Sequence, residues 1–133
     1  MIRFARPEDI DILIDKDKKI DKQEMLNLIN LNRVYIMEED GKFIGWLRYN
    51  LFWDNTPFMN MIHLNDEDRG KGFGRKFVEF WEDEMRKLGY KTVLTSTASD
   101  EFAQHFYIKL GYSSIGGFLP IGKTFEIILS KKL

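Results

Sequence analysis

The chain contains no cysteine, only two histidines and only three prolines in 133 residues. Without cysteine there is no disulfide framework, no thiolate zinc site and no cysteine nucleophile. His63 and His105 are too few for a histidine-rich metal centre, and no H-E-x-x-H, EF-hand loop or G-x-S-x-G string is present. No apolar run approaches membrane-span length. Met1-Ile2-Arg3-Phe4 lacks the charged-then-apolar layout of a signal peptide. Nor is one sign of charge in excess: 20 Lys+Arg against 21 Asp+Glu leave a formal net charge of −1. A general nucleic-acid binder would show a basic excess or stripe. These absences predict a cytoplasmic protein with no metal and no nucleic-acid or membrane partner.

What is present predicts a packed fold. Hydrophobic residues make up 44 % and aromatics 14 %, which suits a globular chain rather than a disordered one. The length fits a single domain covering residues 1–133. Residues 2–5 read as a short strand. Arg6-Pro7-Glu8-Asp9 opens a helix, since proline suits a first turn and acids there complement the helix dipole. Ile10, Leu13 and Ile14 give it an apolar side, and the mixed charges from Asp15 to Lys19 read as a solvated loop or helix end. A second helix is expected over Asp21 to Leu31. Val34 to Met37 and Phe43 to Phe52 read as strands joined at Asp40-Gly41. Gly45 marks a bulge or a close approach. A turn at 54–57 leads into a strand from Pro57 to Leu64.

The clearest helix runs from Phe73 to Leu88, where Phe73, Phe77, Phe80, Trp81, Met85 and Leu88 recur every three or four positions. Its polar face is expected to pair Glu82 with Arg86 and Asp83 with Lys87. Lys91 to Thr97 alternates as a strand. Ser99 or Asp100 can cap the next helix, which carries Ala103, Phe106, Tyr107 and Leu110 and ends at Gly111. Tyr112 to Phe118 and Thr124 to Leu129 are the last two strands. The order is β-α-α-β-β-β-α-β-α-β-β, a mixed α/β chain with helices packed on a sheet.

Between strand and helix lies Arg69-Gly70-Lys71-Gly72-Phe73-Gly74. Strand, glycine-rich turn and helix N-terminus form a geometry that cradles phosphate. The string is neither a Walker A loop nor a dinucleotide fingerprint, because Arg75 stands where the third glycine of G-x-G-x-x-G belongs. It reads [RQ]-x-x-G-x-[GA]. Read alone, the same string also describes a glycine turn ahead of a helix.

That string resembles the acetyl-CoA pyrophosphate loop of the GNAT N-acetyltransferase superfamily, and the element order is similar to the GNAT fold over nearly the whole chain. Ile2-Arg3-x-Ala5, Glu39-Asp40-Gly41-Lys42 with Ile44-Gly45, Ala103-x-x-Phe106-Tyr107-x-x-x-Gly111-Tyr112 and Ile127-Ile128-Leu129 also resemble that family. The resemblance implies a mixed, mostly antiparallel sheet of six to seven strands flanked by four helices, with strands splayed around an acyl-CoA site. It implies an acyl-CoA-dependent N-acetyltransferase whose amine acceptor attacks the thioester directly, with a small amine slightly favoured. The amides of Arg69, Gly70, Lys71, Gly72, Phe73, Gly74 and Arg75 would hold the pyrophosphate. Ile62, His63 and Leu64 would pair with the pantetheine arm, and an N–H near Leu64 would polarise the thioester carbonyl. Tyr107 aligns with the tyrosine that protonates the departing thiolate, although on spacing alone its place on an apolar helix side better describes a packed core tyrosine. Phe106 and Ser99 would also contact the cofactor. Asp100 stands where the family often has asparagine, and an ionised carboxylate there would repel phosphate.

His63 ranks first as general base because it titrates in the right range. Glu38 and Glu39 are expected to be solvated, and a water chain is the other candidate. The acceptor site would draw on Lys16 to Lys19, Trp53, Asp54, Asn55 and Phe58. Trp46, Tyr49 and Trp53 either wall it or fill the sheet's two faces. A CoA-binding regulatory module without turnover is the alternative, with another nucleotide at the loop as a third reading. The chain is expected as a monomer or homodimer.

Overall fold

The computed structural model describes every residue, Met1–Leu133. Short apolar alternations form seven strands: β1 (Ile2–Phe4), β2 (Val34–Glu39), β3 (Lys42–Phe52), β4 (Thr56–Leu64), β5 (Thr92–Ala98), β6 (Ser113–Phe118) and β7 (Glu126–Lys132). Helical spacings form α1 (Ile10–Lys16), α2 (Lys22–Asn30), α3 (Phe73–Lys87) and α4 (Ala103–Lys109). The sheet order is β1-β2-β3-β4-β5-β7-β6. The β1–β2, β2–β3, β5–β7 and β6–β7 pairs are antiparallel, and β4–β5 is parallel. The expected mixed, mostly antiparallel sheet with four helices is therefore the observed architecture.

The chain divides into two compact units. The first comprises residues 1–50 and 61–77. Its core joins Leu13 of α1 and Met25, Leu28 and Ile29 of α2 to Val34, Ile36 and Trp46 of the strands. Fully burying one such aliphatic side chain is worth about 1.5–3 kcal/mol. Arg6-Pro7-Glu8-Asp9 forms a 3-10 turn over Pro7–Asp9 rather than the first turn of an α-helix. The Asp9 carboxylate accepts from the Arg6 amide at 2.7 Å and from both terminal nitrogens of Arg3. Arg3 also donates to Glu38 at 2.7 Å, so Glu38 is half-buried and paired rather than solvated.

Gly45 marks both a bulge and a close approach. The β2–β3 register shifts between Met37 and Glu38, opposite Gly45. A Cβ on Gly45 would stand 2.1 Å from the His63 carbonyl oxygen. Only glycine lets β3 lie so near the end of β4.

The second unit comprises residues 51–60 and 78–133. Within it Val78, Trp81 and Met85 of α3 have no exposed surface, and Val93, Tyr107, Tyr112 and Leu129 are buried. Two sequence expectations fail here. Glu82 is 2 % exposed and does not pair with Arg86. It accepts from the Tyr112 hydroxyl at 2.8 Å and from the Lys131 ammonium at 3.0 Å. The surface pairs of α3 are instead Arg86–Asp83 and Lys87–Glu84, each spaced i,i+3. Ser99 and Asp100 do not cap α4, which begins after Phe102 without a side-chain cap. The last strand also starts later than expected, at Glu126.

Candidate functional site

The glycine loop belongs to the first unit. A 3-10 turn at Asp66–Asp68 leads out of β4, and α3 begins at Phe73. The Lys76 amide donates to the Gly72 carbonyl at 3.2 Å, so helical hydrogen bonding starts from Gly72. The amides of Phe73 and Gly74 stand in the first turn, where no intrahelical carbonyl precedes them. Gly70 and Gly72 take φ of +76° and +83°, with no heavy atom within 4 Å of where a Cβ would lie. The loop thus has the left-handed backbone that glycine permits and open space above it. No acidic residue lies in the first turn of α3, and Arg69, Lys71 and Arg75 are exposed. The chemistry suits an anion at the positive end of a fifteen-residue helix.

The Arg69 guanidinium donates to the Leu64 carbonyl at 3.3 Å, tying the loop to the end of β4. Ile62, His63 and Leu64 are half-buried there. The His63 ring lies 4.9 Å from the Trp46 ring. Burial first, and the Arg69 charge second, hold its pKa below the ordinary imidazole value. Neutral imidazole is the form that can accept a proton. His63 lines a cavity of about 550 Å³ with Ile12, Lys16, Phe43, Asn65 and Asp66. The Lys16 ammonium sits 5.5 Å from the centre of the Phe43 ring.

Lys16 is thus brought beside His63, as a candidate acceptor site requires. Asp17 is not in solvent, as the mixed-charge run suggested. It is 2 % exposed, and its carboxylate accepts from Trp46 Nε1 at 3.0 Å, Arg48 Nε at 2.7 Å and the Lys19 amide at 3.1 Å. Burial pushes its pKa up, but Arg48 and these donors outweigh that and hold it below the ordinary carboxylate value. Trp46 and Tyr49 are buried, so they fill the sheet, whereas Trp53 is 80 % exposed. In the second unit Trp53 and Phe58 each pack against Phe52.

The second unit also holds Ser99, Asp100, Phe106 and Tyr107. Tyr107 is 5 % exposed, edge-on to both Phe106 and Tyr112. Its hydroxyl is hydrogen-bonded to Thr95. Thr95 donates its own proton to the Met59 carbonyl at 3.0 Å, so its oxygen can accept from the phenol. Burial pushes the Tyr107 pKa up to about 12, which keeps the phenol protonated at neutral pH. Asp100 accepts from the Thr124 hydroxyl at 3.3 Å, while the Ser99 carbonyl accepts from Gln104 at 3.0 Å.

The parallel β4–β5 ladder consists of Phe58–Leu94 and Met59–Thr95, although β4 runs on to Leu64 and β5 to Ala98. Two hydroxyls on that part of β5 escaped the sequence reading. Thr95 holds Tyr107, and Thr97 is buried with no hydrogen-bond partner for its oxygen. Thr92 and Ser96 are hydroxyl residues of the same strand, so spacing alone did not single these two out.

Known structures share this fold. Ard1 from Thermoplasma volcanium superposes with a TM-score of 0.86 at 14 % identity, covering 100 % of this chain and 97 % of that one. The PaiA N-acetyltransferase from Thermoplasma acidophilum, in complex with coenzyme A, gives 0.83 at 20 % identity, covering 100 % and 98 %. The ribosomal-protein-S18-alanine N-acetyltransferase from Escherichia coli gives 0.82 at 15 % identity, covering 99 % and 92 %. At these identities the likeness concerns the fold. The sequence profile of the Acetyltransferase (GNAT) family matches residues 5–112, a span that takes in the glycine loop and α4, and the chain belongs to that family.

Proposed function

We propose that the chain transfers an acetyl group from acetyl-CoA to a primary amine, donor and acceptor bound together and the amine attacking directly. The observation that carries this reading is the loop from Arg69 to Arg75. Its left-handed glycines leave open space above a helix whose first turn holds no acidic side chain. Coenzyme A and acetyl-CoA are the ligands of two proteins of the same fold, PaiA from Thermoplasma acidophilum and YncA from Salmonella typhimurium.

Acetyl-CoA would supply an activated acyl group as a thioester. The amides from Gly70 to Arg75 would hold its pyrophosphate, whereas the Arg69 amide, expected among them, is given to the Asp66 carbonyl at 3.3 Å. Ile62, His63 and Leu64 would present backbone to the pantetheine arm, and the Leu64 N–H would polarise the carbonyl. Ser99 and Phe106 would complete the contacts, with Thr97 added as a buried hydroxyl in need of a partner. Asp100 would stay on Thr124 and away from phosphate. An ammonium acceptor must lose a proton before it can attack, and neutral His63 would take it. Tyr107 would give its proton to the departing thiolate. From a phenol at about 12 to a thiol near 8.5 that transfer is uphill unless the phenolate gains a donor. Thr95 already lowers the phenol value, and burial outweighs it.

The cavity beside His63 favours a small amine, since its size is that of a small-molecule site. The test is calorimetric titration with acetyl-CoA, free CoA and ATP, followed by a panel of amines. Binding of both CoA species but not ATP, with turnover of an amine, is expected. Binding without turnover of any acceptor would make the chain a CoA-binding module. No binding to either CoA species would remove the loop assignment.

A further inference from the structure

The second unit ends in a hairpin with an apolar outer side. β6 is the last strand of the sheet order and pairs only with β7. All six of its residues are exposed. Ile115 is 59 % exposed and Phe118 52 %, and the chain then runs through Leu119 at 71 % and Ile121 at 100 % to Phe125 at 43 %. The Phe125 ring lies against Gly117, where a Cβ would come within 2.6 Å of it, so strand and connection share one surface. From Leu110 to Gly122 there is not one charged residue.

A free sheet edge is a template for pairing with another strand, and soluble proteins ordinarily guard it with charge, proline or brevity. β6 has a bulge, the register shifting between Ser114 and Gly116, but no charge to repel a partner. The five large side chains named expose apolar surface on the order of 600 Å², against the ~800 Å² that each partner buries in a standard interface. Interfaces between identical copies are the more apolar class.

We infer that this side of the second unit is the interface of a two-fold dimer with a second copy of the chain. β6 lies antiparallel to β6 of the partner subunit, and Ile115, Phe118, Leu119 and Ile121 close over the join. A two-fold axis makes an uncharged patch self-complementary. A foreign strand would find no charge to fix its register. An anionic surface would find a single cation in the connection, Lys123. The inference stands apart from acetyl transfer and survives even if the chain binds no CoA.

The test is sedimentation velocity over a concentration series, with Ile115→Lys and Ile121→Asp as variants. Both positions are exposed, so melting temperatures should match that of the native chain diluted to its monomer. The native chain should sediment at twice its 15.8 kDa mass. Each variant should weaken the dimer by about a hundredfold, the range of an interface hot spot. Because the chain has no cysteine, single cysteines placed in turn at Ser113, Ser114, Ile115 and Phe118 report the contact directly. At least one should oxidise to a linked dimer, whereas Lys22→Cys on α2 should not. A monomer at every concentration overturns the inference. So does a dimer that both variants leave intact, or co-sedimentation with anionic vesicles in place of self-association.

Discussion

Gly72 and Gly89 have nearly the same local geometry and unlike surroundings, so alanine at each separates strain from ligand binding. Gly72 has φ +83° and Gly89 φ +92°, and neither has a heavy atom within 4 Å of a built Cβ. Alanine at either position therefore costs only the left-handed backbone, about 1–2 kcal/mol. At an unfolding entropy of about 2.1 cal/mol/K per residue, that lowers the melting temperature of a 133-residue chain by roughly 4–7 °C. Differential scanning calorimetry should find the two variants alike. Acetyl-CoA affinity should not. Gly89 follows α3 and closes its C-terminus, with its amide 3.0 Å from the Arg86 carbonyl, so Gly89→Ala should bind as the native chain does. At Gly72 the new methyl occupies the open space over the loop. Loss of one charge-assisted backbone bond to phosphate, about 1.5–3 kcal/mol, weakens binding roughly 10- to 150-fold. Isothermal titration of both variants decides the matter. Equal affinities, with equal melting temperatures, would refute the phosphate role of the loop and leave it a turn.

Tyr107→Phe should lower kcat by roughly 10²–10⁴-fold with little change in acetyl-CoA affinity, as steady-state kinetics beside calorimetry will show; an unchanged kcat across pH would return Tyr107 to the core. His63 is held below the ordinary imidazole value by burial and by Arg69. The acid limb of the kcat/KM profile should accordingly lie below pH ~6.5, and Arg69→Gln, which removes the second cause, should move it to higher pH. Asp17→Asn removes the charge that Arg48 pairs with and should destabilise the chain by about 3–5 kcal/mol in denaturant unfolding. The Asp17 pKa is depressed on folding, so its contribution is complete above the unfolded value near 3.9 and is lost as pH falls through the folded value. Acid denaturation of Asp17→Asn should lack that component.

Legibility followed periodicity. α3 was read almost to the residue because Phe77, Trp81 and Met85 mark one side of it at helical spacing and all three are fully buried. The glycine loop was legible because a left-handed backbone before a helix leaves a compositional trace at Gly70 and Gly72. Gly45 was legible as a bulge or close approach but not in its partner, since nothing local names the His63 carbonyl. Thr95 and Thr97 were not read at all. A hydroxyl on a strand carries no periodic signal, and its importance comes from Met59 and Tyr107, distant in sequence. The cap expected from Ser99 or Asp100 failed because the chain turns through Glu101 and Phe102 before α4 starts.

The deepest misreading concerns two acids, and it has one cause. Asp17 and Glu82 each stand among charged neighbours, where hydrophobic periodicity counts a carboxylate as solvent-facing. Both are 2 % exposed. Each takes a bond from an aromatic donor, Trp46 Nε1 in one case and the Tyr112 hydroxyl in the other, and each pairs with a cation from a strand, Arg48 or Lys131. A buried charge is tolerated only when paired and hydrogen-bonded, so the two sites meet the same requirement with different residues. Such a pair adds little net stability over an apolar replacement, but it fixes geometry, because any shift leaves a charge unpaired. The positions fixed are the ones the proposed chemistry uses. The Asp17 pair holds the end of α1 to Trp46, the ring on which His63 rests. The Glu82 pair holds Tyr112, the ring against which Tyr107 stands edge-on. Burial and Glu82 raise the Tyr112 pKa above the ordinary phenol value, so this donor keeps its proton at neutral pH. Each unit thus spends one buried carboxylate on orienting an aromatic wall behind a residue that would move a proton, and neither wall can be recognised from a charge pattern along the chain.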